Sequence, residues 1–530
     1  MPRKTFTVLV LAALTVLALA AAGAEIADLG SLDFPNSGAP EAQGAFVRGV
    51  LLLHSFEYDD AREAFDEAQA IDPDFALAYW GEAMTHNHPL WRRQDRDAAL
   101  AALAEYAASA AERAARAPSE RERAYLGAVE ALYGGSEGSG DKLARDEAYS
   151  RAMGAVAERW PHDLEARAFY ALSILGTTQG ERDFRTYMRA AAAAEEVYAA
   201  NPRHPGALHY LIHSYDDPVH APLGLRAARV YADVAPAASH AQHMISHIHL
   251  ALGRWRESVD ANRKSFAVSA ERRARKGLGP DALNHHSLQW LAYAYLELGR
   301  FKEARATLDE MSAYARESDS YSSRWYHAAM RATWVAETGD PDPPPGPEGE
   351  LRLSGAAPDR FADGYAAWKR GDHGTARSLA DALDGLLADA EETGGRPQTR
   401  TEATVMAKSL RALVELAAGD REAATALLDE ATALESSLAL DYGPPNVVKP
   451  SHELYGEVLL RAGDHRAARS QFEKALERAP RRTLSLAGLA QAARGMGDEA
   501  TEELACRELR EIYAGADEGL AVPGGCGARP

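Results

Sequence analysis

The apolar positions of this chain fall in helical spacing, interrupted by tight turns centred on glycine or similarly small residues. The stretch "HSFEYDDAREAFDEAQAIDPDFALAYWGEA" (54–83) reads as a helix end, a turn, a helix, and a further helix opened by proline. No run alternates apolar and polar residues cleanly between turn signals, so strands are not expected. The pattern predicts an all-α chain.

The same grammar returns in "LGRWRESVDANRKSF" (252–266), "LGRFKEARATLDEM" (298–311), "RGDHGTARSLADAL" (370–383), "AGDREAATALLDEA" (418–431) and "AGDHRAARSQFEKALERAPRRTLSLAGLA" (462–490). Each copy joins two helices through a tight turn, and an aromatic or long side chain and a small residue mark where they touch. Several second helices end in a proline that opens the next pair: Pro73, Pro161, Pro202, Pro236, Pro280 and Pro480. These residues resemble the tetratricopeptide repeat family, most strongly over 46–84 and 446–494. The resemblance implies an α-solenoid of antiparallel helix pairs with a concave groove lined by the first helix of each pair. It says little about what the groove holds. The Gly253–Gly299 spacing of 46 and the Gly419–Gly463 spacing of 44 exceed the family's usual ~34, which points to longer helices or insertions.

The segment "DPDPPPGPEGELRLSGAAPD" is proline-rich, and residues 340–358 read as a stiff linker. It would divide an N-terminal array (30–339) from a C-terminal one (359–515), with residues 516–530 as a flexible tail. Before these, Arg3 and Lys4 precede an apolar run from Phe6 to Ala22 that ends in small residues. Residues 1–24 are therefore expected to be a bacterial export signal, with an uncleaved anchor facing outside as the other reading. Both place the chain beyond the cytoplasm, in the periplasm or outside the cell, and no stable membrane insertion is expected once the signal is removed. Cys506 and Cys526, the two cysteines, either staple the tail to the last helix or stay as free thiols. The formal charge of −20 disfavours nucleic acid and anionic lipid as partners.

Histidine changes the picture. Eight of the 18 lie between His204 and His249, where even scatter would put about 1.6. Counting from Pro202, histidines fall at +7 and +11 (His209, His213), and counting from Pro236 the same offsets give His243 and His247. Residues four apart share a helix face. Neighbouring first helices of a solenoid lie ~8–10 Å apart, so the two pairs could meet on one ion. Superposing Gly253 on Gly299 brings His240 onto His286, the two further ligand candidates. His204, His220, His249 and His285 are candidates for the rim or for positions that support the ligands from behind. Imidazole without thiolate suits zinc or copper; Met244 beside His243 is read as core. Asp216 and Asp217 read as a helix stop and turn, or as carboxylates that orient an imidazole or act as base towards metal-bound water. They are the candidates for catalysis.

Trp80 lies at the same +7 offset from Pro73, so with His86 and His88 it is expected to face the groove, as aromatic packing between repeats or, alternatively, as a ligand-binding wall. "KPSHELYGE" opens a C-terminal repeat, with Ser451 expected as N-cap and Glu453 favoured by the helix dipole. No HExxH, GxxxxGK[ST] or GxGxxG after a strand occurs, which leaves zincin protease and nucleotide readings without support. The sequence points to an exported, histidine-bearing scaffold that binds a protein or peptide partner and carries a transition metal. The alternative is a metal-dependent enzyme acting on a ligand held in the groove.

Overall fold

The computed structural model describes residues 28–134, 141–178, 182–393, 396–440 and 442–527. The expected export signal over 1–24 lies outside them. Among the described residues 24 α-helices follow one another, and none is long and apolar enough to cross a membrane. Two strands of two residues, β1 (Asn87–His88) and β2 (Arg93–Gln94), pair antiparallel around a 3-10 turn at Pro89–Trp91. They are too short to leave any alternation in the sequence.

The helices form two compact units. The first comprises the residues up to Tyr215 with Leu223–Ile245. It holds α1 (Gln43–His54), α2 (Tyr58–Ile71), α3 (Ala76–Thr85), α4 (Arg96–Tyr106), α5 (Ala110–Arg116), α6 (Glu120–Tyr133), α7 (Lys142–Arg159), α8 (Leu164–Gly176), α9 (Phe184–Ala200) and α10 (Pro205–Tyr215). Most of α11 (Ala221–Val234) and the start of α12 (Ser239–Ala251) complete it. Neighbours in sequence pack as neighbours in space from α1 to α4 and again from α6 to α10. Asp and Ser side chains start several of these helices by accepting from backbone N–H groups, as Asp95, Ser119, Asp141 and Asp163 do for α4, α6, α7 and α8.

The second unit, Asp216–Pro222 with Ser246 onward, carries α13 (Trp255–Lys276), α14 (His285–Glu297), α15 (Phe301–Glu317), α16 (Tyr321–Thr338), α17 (Leu353–Arg370) and α18 (His373–Thr393). It continues through α19 (Pro397–Ala418), α20 (Arg421–Ser437), α21 (Ser451–Arg461), α22 (His465–Arg478), α23 (Thr483–Met496) and α24 (Glu499–Ile512). Both units use one device to seat a second helix against two first helices. In the first, a Cβ on Gly49 or Gly81 would fall 2.7 or 2.3 Å from the Phe65 ring. In the second, a Cβ on Gly456 or Gly488 would fall 2.7 or 2.1 Å from Phe472. Each phenylalanine lies sixteen residues from both of its glycines. Both rings are fully buried, and the missing side chains are what let the helices close on them.

Three expectations are corrected here. The prolines at 73, 161, 202, 236 and 480 do not occupy the first helical turn; each lies three residues before its helix, in the preceding turn. Proline fixes φ and suits such a turn, and because the shift is constant the register between repeats survives. The compact units do not divide at 340–358. Arg331 binds the Pro344 carbonyl (2.6 Å), Asp359 (2.8 Å) and Asp363, and one apolar cluster runs from Val335 through Phe361 to Leu410. The segment is thus strapped within the second unit, and α17 already begins at Leu353. The C-terminal segment is held down over 516–527. Cys506 and Cys526 are disulfide-bonded, Asp517 accepts from the Lys302 amide (2.9 Å), and Gly524 packs on Ala487.

Candidate metal centre

In the first unit, α10 presents His209 and His213 one turn apart, and α12 brings His240 to them. The three imidazoles each offer a nitrogen within 4.8 Å of the other two. Their ring centroids lie 4.9 Å (His209–His213), 5.0 Å (His209–His240) and 6.3 Å (His213–His240) apart. His209 Nδ1 donates to the His54 carbonyl at 2.6 Å. A carbonyl can only accept, so in the neutral ring the lone pair is on Nε2. Fixing the tautomer through the other nitrogen is how proteins orient metal-binding histidines. His209 and His213 are buried and His240 is half-buried.

Aromatic side chains cover this trio. Phe56 lies 4.3 Å from His209 and 5.4 Å from His240, and Trp91, at the tip of the β1–β2 hairpin, lies 5.7 Å from His240. Trp91 is 40% exposed. His88 stacks on Tyr58 at 3.9 Å, and its Nε2 donates to the Thr85 carbonyl at 3.1 Å. His86 is half-buried at the end of α3. Trp80 forms no binding wall. It is fully buried, edge-on to Phe34, Tyr125 and Phe169, because the +7 offset faces the space between helices.

A second histidine group in this unit is closed. Glu165 on α8 is fully buried and accepts from His54 Nε2 (2.7 Å) and His204 Nε2 (2.9 Å). Tyr210 donates its hydroxyl proton to His54 Nδ1 (2.8 Å), and the Ala207 amide donates to His204 Nδ1 (3.2 Å). Every ring nitrogen is satisfied when both imidazoles are neutral and the carboxylate is ionised. Burial alone would raise the Glu165 pKa, but His204 and His54 outweigh it and bring it down to about 2. Burial lowers the pKa of His54, with Glu165 opposing. Sequence reading put His204 at the rim or behind the ligands and missed His54 and Glu165. Neither stands in a histidine-rich run, and their meeting depends on α1, α8 and α10 packing together.

In the second unit, His247 is stacked on Trp290 (4.5 Å) and lies 4.9 Å from Tyr442 and 6.3 Å from His286. Its Nδ1 donates to Asp216 at 2.8 Å, a carboxylate orienting an imidazole. Asp217 accepts from the amides of Val219 (2.9 Å) and His220 (3.0 Å) and from His220 Nδ1 (2.9 Å), an Asx-type turn. His243 and Met244, on the part of α12 that belongs to the first unit, are fully buried, the His243 ring 6.0 Å from His240. His249 and His286 are half-buried, and His285 is buried against Tyr314 and Tyr326.

The same unit hides a charged network. Arg482 binds both carboxylate oxygens of Glu453 (2.7 and 3.0 Å), Glu297 (3.2 Å), Glu337 (2.5 Å) and the Tyr293 hydroxyl (3.0 Å). Lys449 meets Glu453 at 2.8 Å. Burial would raise Glu453, yet Arg482 and Lys449 hold it far below the usual carboxylate range. Burial pushes Glu337 up to about 8 against Arg482. Glu453 therefore anchors a buried arginine and does more than complement a helix dipole. Ser451 is not the N-cap of α21, because Pro450 holds that place and the Ser451 hydroxyl donates to Glu435.

The Tetratricopeptide repeat family matches at residues 285–311 and 450–482, the segments that form α14–α15 and α21–α22. The chain carries tetratricopeptide repeats in these two segments. Its repeats belong to a class that serves as a scaffold for protein interaction. Solved repeat structures resemble it at low identity. A human IFIT1 dimer with PPP-AAAA is 12% identical with TM-score 0.37, covering 92% of this chain and 94% of that one. Yeast Tom70 is 11% identical with TM-score 0.27, covering 89% and 91%. A Rap protein complexed with Competence and Sporulation Factor is 12% identical with TM-score 0.33, covering 75% and 98%. Likeness at this level carries nothing about ligand or partner. No curated protein matches the sequence.

Proposed function

We propose that this tetratricopeptide-repeat protein is an exported binding scaffold that holds one transition-metal ion, zinc or copper, on His209, His213 and His240, and recognises a protein or peptide partner through its repeats. The observation that carries the metal reading is the mutual reach of the three imidazole nitrogens within 4.8 Å. At metal–nitrogen bonds of ~2.0–2.1 Å, tetrahedral ligand atoms lie roughly 3.3 Å apart. The rings therefore need to draw in by at most about 1.5 Å, through χ rotations. Three imidazoles leave a further position for water or for a group of the partner, under the rim formed by Trp91. Export is supported by the apolar N-terminal run and by the Cys506–Cys526 disulfide, which suits an oxidising compartment.

Elemental analysis of the protein purified without a polyhistidine tag tests the site. One equivalent of zinc or copper per chain is expected, lost in His213→Ala and in His240→Ala and kept in His220→Ala. Protein that takes up no metal when dialysed against zinc or copper would end the metal reading and leave the scaffold alone.

A further inference from the structure

A cavity in the second unit opens between the start of α19, the end of α20, the start of α21 and the end of α22, beside the loop 442–447. About 90 Å³ of it admits the centre of a water molecule. One water needs only ~10–15 Å³ on that measure, so the space takes a chain of several heavy atoms. Leu438, Leu440, Pro444 and Val447 line it with carbon, and Glu402 and Glu435 bring two carboxylates. Glu435 sets the chemistry. It is 6% exposed, and its Oε2 accepts from the Ser451 amide at 2.6 Å and from the Ser451 hydroxyl. Its Oε1 has no hydrogen-bond partner among the described residues. The other polar groups of the wall are committed. Arg478 donates to the Leu438 and Ala439 carbonyls at 3.1 Å each, closing the end of α20. His452 donates from Nδ1 to Gln471 at 2.6 Å and accepts from the Ser436 hydroxyl at Nε2, 2.9 Å away.

We propose that this cavity receives a lysine side chain of a basic peptide partner, which it holds through Glu435 Oε1. The proposal rests on the scaffold reading and is independent of the metal. A buried carboxylate oxygen without a donor carries a desolvation cost that a cation offsets. The four methylenes of lysine match the carbon wall, and its ammonium is a compact charge that a single oxygen can hold. Arginine fits less well, because a guanidinium fork takes both oxygens of one carboxylate, and Ser451 already occupies one of those of Glu435. Glu402 accepts from Gln398 (3.1 Å) and Asn446 (3.0 Å) and adds charge of the same sign. An anion would meet two carboxylates and an arginine already spent on carbonyls. The formal charge of −20 over the whole chain favours the approach of a basic partner.

Butylammonium, the lysine side chain without its backbone, is the probe, titrated into the full chain by ligand-observed NMR. Butylguanidinium and 1-pentanol serve as the forked and the uncharged counterparts. Saturable one-site binding of butylammonium is expected on the order of a millimolar, with both counterparts at least about tenfold weaker. Glu435→Gln keeps an acceptor for Ser451 and should weaken butylammonium at least about tenfold. If that variant does not fold, Ala439→Phe fills the cavity from a half-buried position and should abolish binding with both carboxylates in place. Absence of saturable binding, butylguanidinium or 1-pentanol binding as tightly as butylammonium, or unchanged affinity in the folded variant would overturn the proposal. The tripeptide acetyl-Gly-Lys-Gly-amide should bind at least as tightly as butylammonium. A tripeptide that does not bind while butylammonium does would overturn the peptide source and assign the cavity to free alkylamines. The probe has no peptide backbone, so its failure removes the lysine pocket alone and leaves the scaffold reading to stand or fall separately.

Discussion

Two buried histidine groups in the first unit touch at one atom, the His54 carbonyl that accepts from His209, yet their chemistry differs. In the His54–Glu165–His204 group a carboxylate sits between two imidazoles, and each ring has partners at both nitrogens. Such a set is complete without an ion. In the His209–His213–His240 group three imidazoles each offer a nitrogen within 4.8 Å of the other two. The glutamate between the rings makes the first group a clamp that is satisfied by protein atoms alone, while the second is the one to which the proposed metal reading applies. Histidine density along the chain does not separate the two groups.

The comparison can be broken most sharply at Glu165. Glu165→Leu should destabilise the first unit by about 3–5 kcal/mol, since it strands two buried imidazoles, with denaturant unfolding as the readout. A near-neutral result would show that the clamp is not needed. Acid should act on the same group. Glu165 has a folded-state pKa of about 2 against an ordinary 4.5, so its contribution is fully present above pH 4.5 and is lost as pH falls towards 2. The shift corresponds to about 3 kcal/mol. Unfolding midpoints measured over that window should show a fall that Glu165→Gln flattens.

The histidine trio should respond to metal instead. Zinc at a hundredfold excess over its dissociation constant should raise stability by about 2.7 kcal/mol, and His213→Ala should abolish the increase while Glu165→Gln keeps it. Thermal melts with and without zinc check this, and equal zinc responses in both variants would erase the distinction between the groups. The smallest change is Tyr210→Phe. It removes the hydroxyl that donates to His54 and should cost about 1 kcal/mol with the zinc response intact.

Helix-level organisation was readable from local order. Turn glycines, small residues at helix contacts and aromatics such as Phe65 and Phe472 repeat at fixed intervals, because a helix pair is a short-range object whose packing face is written in its own spacing. The His209–His213 pair was readable for the same reason, since four residues make one turn. His240 was found through its alignment with His286, while the aromatic cover of Phe56 and Trp91 was not found at all. The matching register of His209 and Trp80 misled in one respect: the shared offset points between helices, where a tryptophan is core and a histidine must find polar company.

What the chain by itself determined was an all-α array of helix pairs and which residues share a helix face, because those follow from 3.6 residues per turn and from turn chemistry. Tertiary structure decided the rest. Glu165 reaches His54 and His204 from a different helix, Arg482 gathers Glu297, Glu337 and Glu453 from three others, and the proline-rich segment at 340–352 is bound by Arg331. These pairings join residues far apart in sequence, and their partners are selected by the cost of burying a charge or an imidazole without a counterpart. That cost exists only once the helices have closed and excluded water, so no local pattern records it.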